Sequence, residues 1–158
     1  MARYPLNIVM VDYGPLTEAI KGLKFLPILA VLEGKNNTKI VSERIADFVD
    51  FLMYTGHLYG PESLHLIGFS LGSNIAGGAA KYIMLRTGRT VRRISALDNP
   101  PNFHSQPKLA ITDADFIDVT YSMLGFRAKF KTVGHVQFFA NGGVKQKNCP
   151  HFFPFARK

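Results

Sequence analysis

Residues 64–82, LHLIGFSLGSNIAGGAAKY, decide how this chain is read. Leu64, Leu66 and Ile67 form an apolar strand with His65 between them. Gly68-Phe69-Ser70-Leu71-Gly72 is a sharp turn, and the small residues Ala76, Gly77, Gly78, Ala79 and Ala80 continue it as a helix. This is the G-x-S-x-G pattern in the strand–turn–helix context that gives it meaning. A serine on so tight a turn takes strained dihedrals, so the positions two before and two after it are expected to lack side chains. The Ser70 hydroxyl then stands above the sheet edge as a nucleophile. The N–H of Leu71 points where an oxyanion would form, at a helix N-terminus that favours negative charge. The plainer alternative makes Ser70 no more than the cap of the following helix.

Working outward, 158 residues at 47% hydrophobic content suffice for one domain with a real core and fall short of two. There is no internal repeat and no low-complexity stretch. The longest apolar run, Phe25 to Leu32, is broken by Pro27 and is far shorter than a membrane span. The opening residues lack the pattern of a signal peptide. The formal charge is +8, part of it gathered at Arg86, Arg89, Arg92, Arg93, Lys129, Lys131, Lys145, Lys147, Arg157 and Lys158. Such a surface suits anionic lipid or sulfated polysaccharide, or is simply a solvated basic face. No nucleic-acid motif accompanies it, so that partner is not expected. The single cysteine, Cys149, has no internal disulfide partner.

In chain order, Asn7 to Asp12 reads as a buried strand, and Tyr13 to Asn37 as a long connection with at most a short helix. Asn36-Asn37-Thr38 is a glycosylation acceptor sequence, usable only on the secretory route. Ile40, Val41, Arg44, Ile45, Phe48, Val49 and Leu52 recur at helical spacing, predicting an amphipathic helix over 39–54. After the central strand, turn and helix come strands at Arg93 to Leu97, Phe116 to Tyr121 and Val133 to Ala140, the last closed by Asn141-Gly142-Gly143. This order indicates an α/β fold with a largely parallel sheet and right-handed crossovers. Function in such sheets gathers at the carboxyl ends of strands. Ser70 and Asp98 both lie there, on successive strands, in the order hydrolases of this architecture use. Asp98 reads equally as the acid that orients a histidine and as a turn-capping residue before Asn99-Pro100.

Several islands together resemble the catalytic domain of the animal neutral lipases: pancreatic lipase, lipoprotein lipase, phospholipase A1 and their insect relatives. They are Asn7 to Tyr13, Ile67 to Ser73 with Ala76-Gly77, Ile94 to Asp98, Asp113 to Val119, Val133 to Gly143, and Cys149. The chain is read as an insect-type member with a partial α/β-hydrolase domain spanning 1–158. The resemblance implies hydrolysis of lipid carboxylic esters, triacylglycerol or phospholipid, through an acyl-enzyme on Ser70. Asp98 would be the triad acid, Leu71 an oxyanion donor, and no metal or cofactor is implied. It also implies secretion and work at a lipid–water interface.

The departures are specific. Phe69 stands where many members have histidine, Asn99-Pro100 follows Asp98 where proline usually follows directly, and Tyr121-Ser122-Met123 replaces His-Thr-Asp/Asn. The family's catalytic histidine is expected beyond Lys158 and its upstream His-Gly strand before Met1, so the triad histidine is not expected within these residues. Of His57, His65, His104, His135 and His151, three follow Asp98 in sequence, yet none matches the base position. His135 matches a family position that is not the base and is read as structural. Two alternatives stand beside catalysis: a lipase-fold protein that binds lipid or stores nutrient, as the yolk proteins do, and a cytosolic α/β domain put to another use.

Overall fold

The computed structural model describes residues 6–13, 27–100, 107–122, 133–143 and 146–147, with the side chains of the first helix described from Asn37 onward. Helix α1 (Pro27–Tyr54) is followed by β1 (His65–Phe69), α2 (Leu71–Thr87), β2 (Val91–Leu97), β3 (Ala114–Tyr121) and β4 (Val136–Phe139). The four strands form one sheet in the order β1-β2-β3-β4, and every pairing is parallel. Each strand's neighbour in space is therefore its neighbour in sequence. No helix among the described residues is long and apolar enough to cross a membrane.

One face of the sheet carries the core. Ile94, Ala96, Ile117 and Val119 point to α2, where Ala76, Ala80 and Ile83 meet them, and Ala46 and Val49 of α1 close the cluster. The small residues of α2 serve a second purpose. A Cβ on Gly78 would lie 2.4 Å from the Ser42 hydroxyl of α1 and 2.2 Å from Pro107, and one on Gly77 would lie 2.9 Å from the Leu109 Cα. Their missing side chains bring α1 and the 107–113 connection close to α2. Ser42 Oγ lies within hydrogen-bonding reach of the Thr38 carbonyl (2.7 Å) and the Ile75 carbonyl of α2 (3.0 Å). Near the far end of α2, Arg86 pairs with Asp47 at 2.8 Å and Asp50 at 2.7 Å.

The opposite face is open. Two rungs cross it, Phe69–Leu97–Thr120–Phe138 and Ile67–Ser95–Asp118–Val136, with His65, Arg93 and Phe116 below. Ile67 and Phe69 are 66% and 64% exposed. Among the apolar side chains sits a polar group: Ser95 donates to Asp118 at 2.9 Å, His65 Nε2 lies 2.8 Å from Ser95 Oγ, and Arg93 Nε donates to Asp118 at 2.7 Å. Burial pushes the Asp118 carboxyl up, but the hydrogen bonds from Arg93 and Ser95 outweigh it and hold the group below the usual carboxylate range.

Three expectations need correction. Residues 6–13 form no strand: Ile8 and Met10 are 89% and 92% exposed, and β1 pairs with β2 alone among the described strands. An apolar run becomes a strand only with a ladder to join. Here Val9, Val11 and Tyr13 instead line an open groove with Val41, Ile45 and Phe48 of α1. Helix α1 begins at Pro27 rather than Lys39. A proline at the first helical position lacks only an N–H that would have no partner anyway, so it starts the helix instead of breaking it. The acceptor sequence thereby lies within a helix, with Thr38 buried, and not on a surface loop. The last strand is also shorter than 133–140, running Val136–Phe139 after a bend at Gly134-His135.

The turn around Ser70 obeys only half of the expected glycine rule. A Cβ on Gly68 would sit 2.2 Å from the Gly72 carbonyl oxygen and 2.6 Å from the Ser73 nitrogen. One on Gly72 would meet nothing closer than the Tyr13 hydroxyl at 3.7 Å. Gly68→Ala is expected to destabilise the protein by about 3 kcal/mol or more, whereas Gly72→Ala is neutral or stabilising by up to about 1 kcal/mol. Urea unfolding of both variants checks the asymmetry. Because the folded Asp118 pKa lies below its unfolded value, its contribution is present above about pH 4 and fades as pH falls through the folded value. Asp118→Asn should therefore lower the melting temperature at pH 7, and the gap to the parent should close on acidification to about pH 2.

Candidate active site

Strands β1 and β2 end on the same rung, Phe69 opposite Leu97, and the next residues on each are Ser70 and Asp98. Adjacent strands lie about 4.8 Å apart, so the two residues leave the sheet side by side. Both carry backbone that non-glycine residues rarely adopt: Ser70 has φ 51° and ψ −120°, and Asp98 has φ 47°. Each is held there by the neighbouring strand. The Ser70 N–H donates to the Leu97 carbonyl at 2.8 Å, and the Asp98 N–H donates to the Thr120 carbonyl at 2.8 Å. Strain of this kind persists only where the surroundings over-determine it, and it clusters at functional sites.

Ser70 precedes α2 but its side chain makes no capping hydrogen bond. The plainer reading of this serine is therefore removed. Ser73 supplies the local bonds instead, its hydroxyl to the Gly68 carbonyl and its N–H to the Ser70 carbonyl, both at 3.0 Å. Leu71 is the first residue of α2, where backbone N–H groups have no partner within the helix. Its side chain is buried with Val41 and Ile75, and Tyr13 packs on them, which fixes the turn from behind.

The carboxylate of Asp98 reaches to the next strand. Ser122, one residue past β3, donates its N–H to Oδ1 at 2.6 Å and its hydroxyl to Oδ2. Below it Tyr121 is buried and stacked on Phe139, with ring centroids 5.4 Å apart. Burial first, and the Asp98 charge second, push the Tyr121 phenol above its ordinary range. The neighbouring Asn99 is buried, and its Oδ1 has no hydrogen-bond partner among the described residues. Sequence reasoning treated Ser122 only as part of a departure from the family pattern. Its place directly after a strand, on the rim that carries Ser70 and Asp98, was the signal that could have found it.

The described histidines stand elsewhere. His65 begins β1, at the other end of the strand from Ser70, and is engaged with Ser95. Its imidazole is pushed down by burial first and by Arg93 next, against the pull of Asp118. His135 is locked to Ile117 through both its backbone N–H (2.8 Å) and its Nδ1 (3.0 Å), which places it well below the rim and fixes the Nε2–H tautomer. His57 lies in the connection between α1 and β1. His104, His151 and Cys149 lie outside the described residues, as do Met123, Lys129, Lys131, Lys145, Arg157 and Lys158. Within the arginine cluster, Arg86 pairs with Asp47 and Asp50, Arg89 with Glu62, and Arg93 with Asp118. Much of that basic charge is thus balanced at short range.

Residues 27–155 match the family model described as Lipase. The chain is 38% identical over 128 residues to a pancreatic triacylglycerol lipase of Ictidomys tridecemlineatus, covering 74% of this chain and 26% of that protein. It is 36% identical over 155 residues to a lipoprotein lipase of Sus scrofa, covering 90% of this chain and 29% of that protein. An inactive pancreatic lipase-related protein 1 of Homo sapiens is 34% identical over 128 residues, covering 74% of this chain and 26% of that protein. The chain thus spans about a quarter of the length of these relatives, and by sequence and by its parallel α/β sheet it belongs to the lipase family.

Proposed function

We propose that the chain carries the nucleophile and acid of a secreted lipid carboxylic ester hydrolase, acting on triacylglycerol or phospholipid at a lipid–water interface. The observation that carries this reading is that Ser70 and Asp98 follow the same rung, Phe69–Leu97, both with positive φ, and that the Ser70 side chain makes no capping bond. Ser70 Oγ attacks the ester carbonyl and the developing oxyanion is met by the Leu71 N–H at the N-terminus of α2. Collapse of the tetrahedral intermediate expels the alcohol and leaves an acyl-serine, which water hydrolyses. A histidine held by Asp98 takes the serine proton and delivers it to the leaving alcohol. None of the described histidines stands at the rim to do so.

Kinship to a relative named inactive favours a second reading: a lipase fold that binds lipid without turning it over. Labelling of the full chain with a fluorophosphonate ester separates the two. Catalysis requires labelling that disappears in Ser70→Ala and slows by about 10³-fold or more in Asp98→Asn. A folded chain that takes no label supports the binding reading and overturns the catalytic one.

A further inference from the structure

We propose that Ser122 and Gln146, drawn together by the Asn141-Gly142-Gly143 turn, are positioning residues for the Asp98 carboxylate; this rests on the reading of Asp98 as the triad acid. Ser122 grips both carboxylate oxygens, Oδ1 through its N–H at 2.6 Å and Oδ2 through its hydroxyl. A carboxylate held at one oxygen still rotates about its last torsion, whereas one held at both has its plane fixed. Hydrogen bonds to an ionised group are also the strong ones. Among the described residues the Asp98 carboxylate is the partner of the Ser122 hydroxyl.

Ser122 is in turn held from behind. Gln146 Nε2 donates to the Ser122 carbonyl at 2.6 Å and to the Ala140 carbonyl at 2.9 Å, so one amide bridges the ends of β3 and β4. Gln146 Oε1 accepts from Asn141 Nδ2 at 2.7 Å. The three residues Asn141, Gly142 and Gly143 all have positive φ, at 47°, 79° and 74°. A Cβ on Gly142 would meet nothing within 4 Å, so glycine is present there for its backbone conformation and not for space. The turn curls the chain back so that Asn141 and Gln146 meet beside Ser122. A sequence feature with no chemistry of its own thereby acquires a role: it sets Gln146, which sets Ser122, which sets Asp98.

The test is the rate at which a fluorophosphonate ester labels Ser70 in the full chain, measured with the melting temperature of each variant. Ser122→Ala should slow labelling roughly 10- to 100-fold with little change in melting temperature, and Ser122→Thr, which keeps the hydroxyl, should restore the rate. Gln146→Met, which keeps length and removes the amide, should slow labelling in the same direction. If the parent chain is labelled at Ser70 and both Ser122→Ala and Gln146→Met match its rate, the positioning role is overturned and the Ser70–Asp98 reading stands. If Ser122→Thr is as slow as Ser122→Ala and both melt early, the effect is general packing and the proposal falls. If the parent chain takes no label at Ser70, the catalytic reading itself fails and carries this proposal with it.

Discussion

The arrangement of the site depends on the close approach of the Gly68 Cα to the Gly72 carbonyl. The chain reverses from β1 into α2 so tightly that a methyl group on Gly68 would overlap the backbone of the helix's first turn. That reversal puts Ser70 at φ 51°, ψ −120° and sets α2 against the sheet. Without it Ser70 would continue a strand or enter a helix, and its hydroxyl would point into a ladder or a cap. The Ser73 hydroxyl on the Gly68 carbonyl ties the turn shut from inside. The packing of Leu71 with Val41 and Ile75 ties it to α1. A local steric fact thus determines where Ser70 stands and which helix end lies behind it.

The sheet's one-sidedness follows from its topology. Strands that are adjacent in sequence, adjacent in space and parallel need crossovers, and crossovers of one hand advancing in one direction all pass over the same face. Helix α2 lies there, and so does the 107–113 connection, where the Leu109 N–H donates to Asn74 and Lys81 binds the Lys108 carbonyl and Asp113. Helix α1 packs on α2 on that same side. Phe69, Leu97 and Phe138, on the opposite face, stay exposed. Parallel strands are ordinarily covered on both faces; here the second face sets Phe69, Leu97 and Phe138 beside Thr120, Ser95 and Asp118.

What could be read without coordinates was what is encoded locally. The first three strands of the sheet, the strand–turn–helix around Ser70 and the parallel class depend largely on neighbours in the chain, and these match the structure. The failures are cases in which partners at a distance decide. Asn7 to Asp12 has the residues of a strand, but a strand is a pairing and this run has no ladder among the described residues. Pro27 reads as a break in the sequence, yet a proline at the start of α1 is compatible with it. Gly72 looked obligatory by symmetry with Gly68, and only the three-dimensional course of the turn shows that the two are inequivalent. Ser122 and Gln146 were invisible because their meaning lies wholly in what they touch, across strands and around a left-handed turn.

The distribution of strain along the rim ties these points together. Among the described residues, the non-glycine positions with positive φ are Ser70, Asp98 and Asn141, found just beyond β1, β2 and β4. Each costs on the order of 1–3 kcal/mol in isolation, and so needs an external hold. The holds run in one direction across the sheet. Ser70 is fastened to Leu97 at the end of β2, Asp98 to Thr120 near the end of β3, and Asn141 through Gln146 to the Ser122 carbonyl just past β3. Scattered strain would be an accident of loop closure. Strain confined, among the described residues, to one rim and clamped strand by strand belongs to a surface whose geometry is fixed in advance, and on the proposed reading the serine and the carboxylate are its two reactive members.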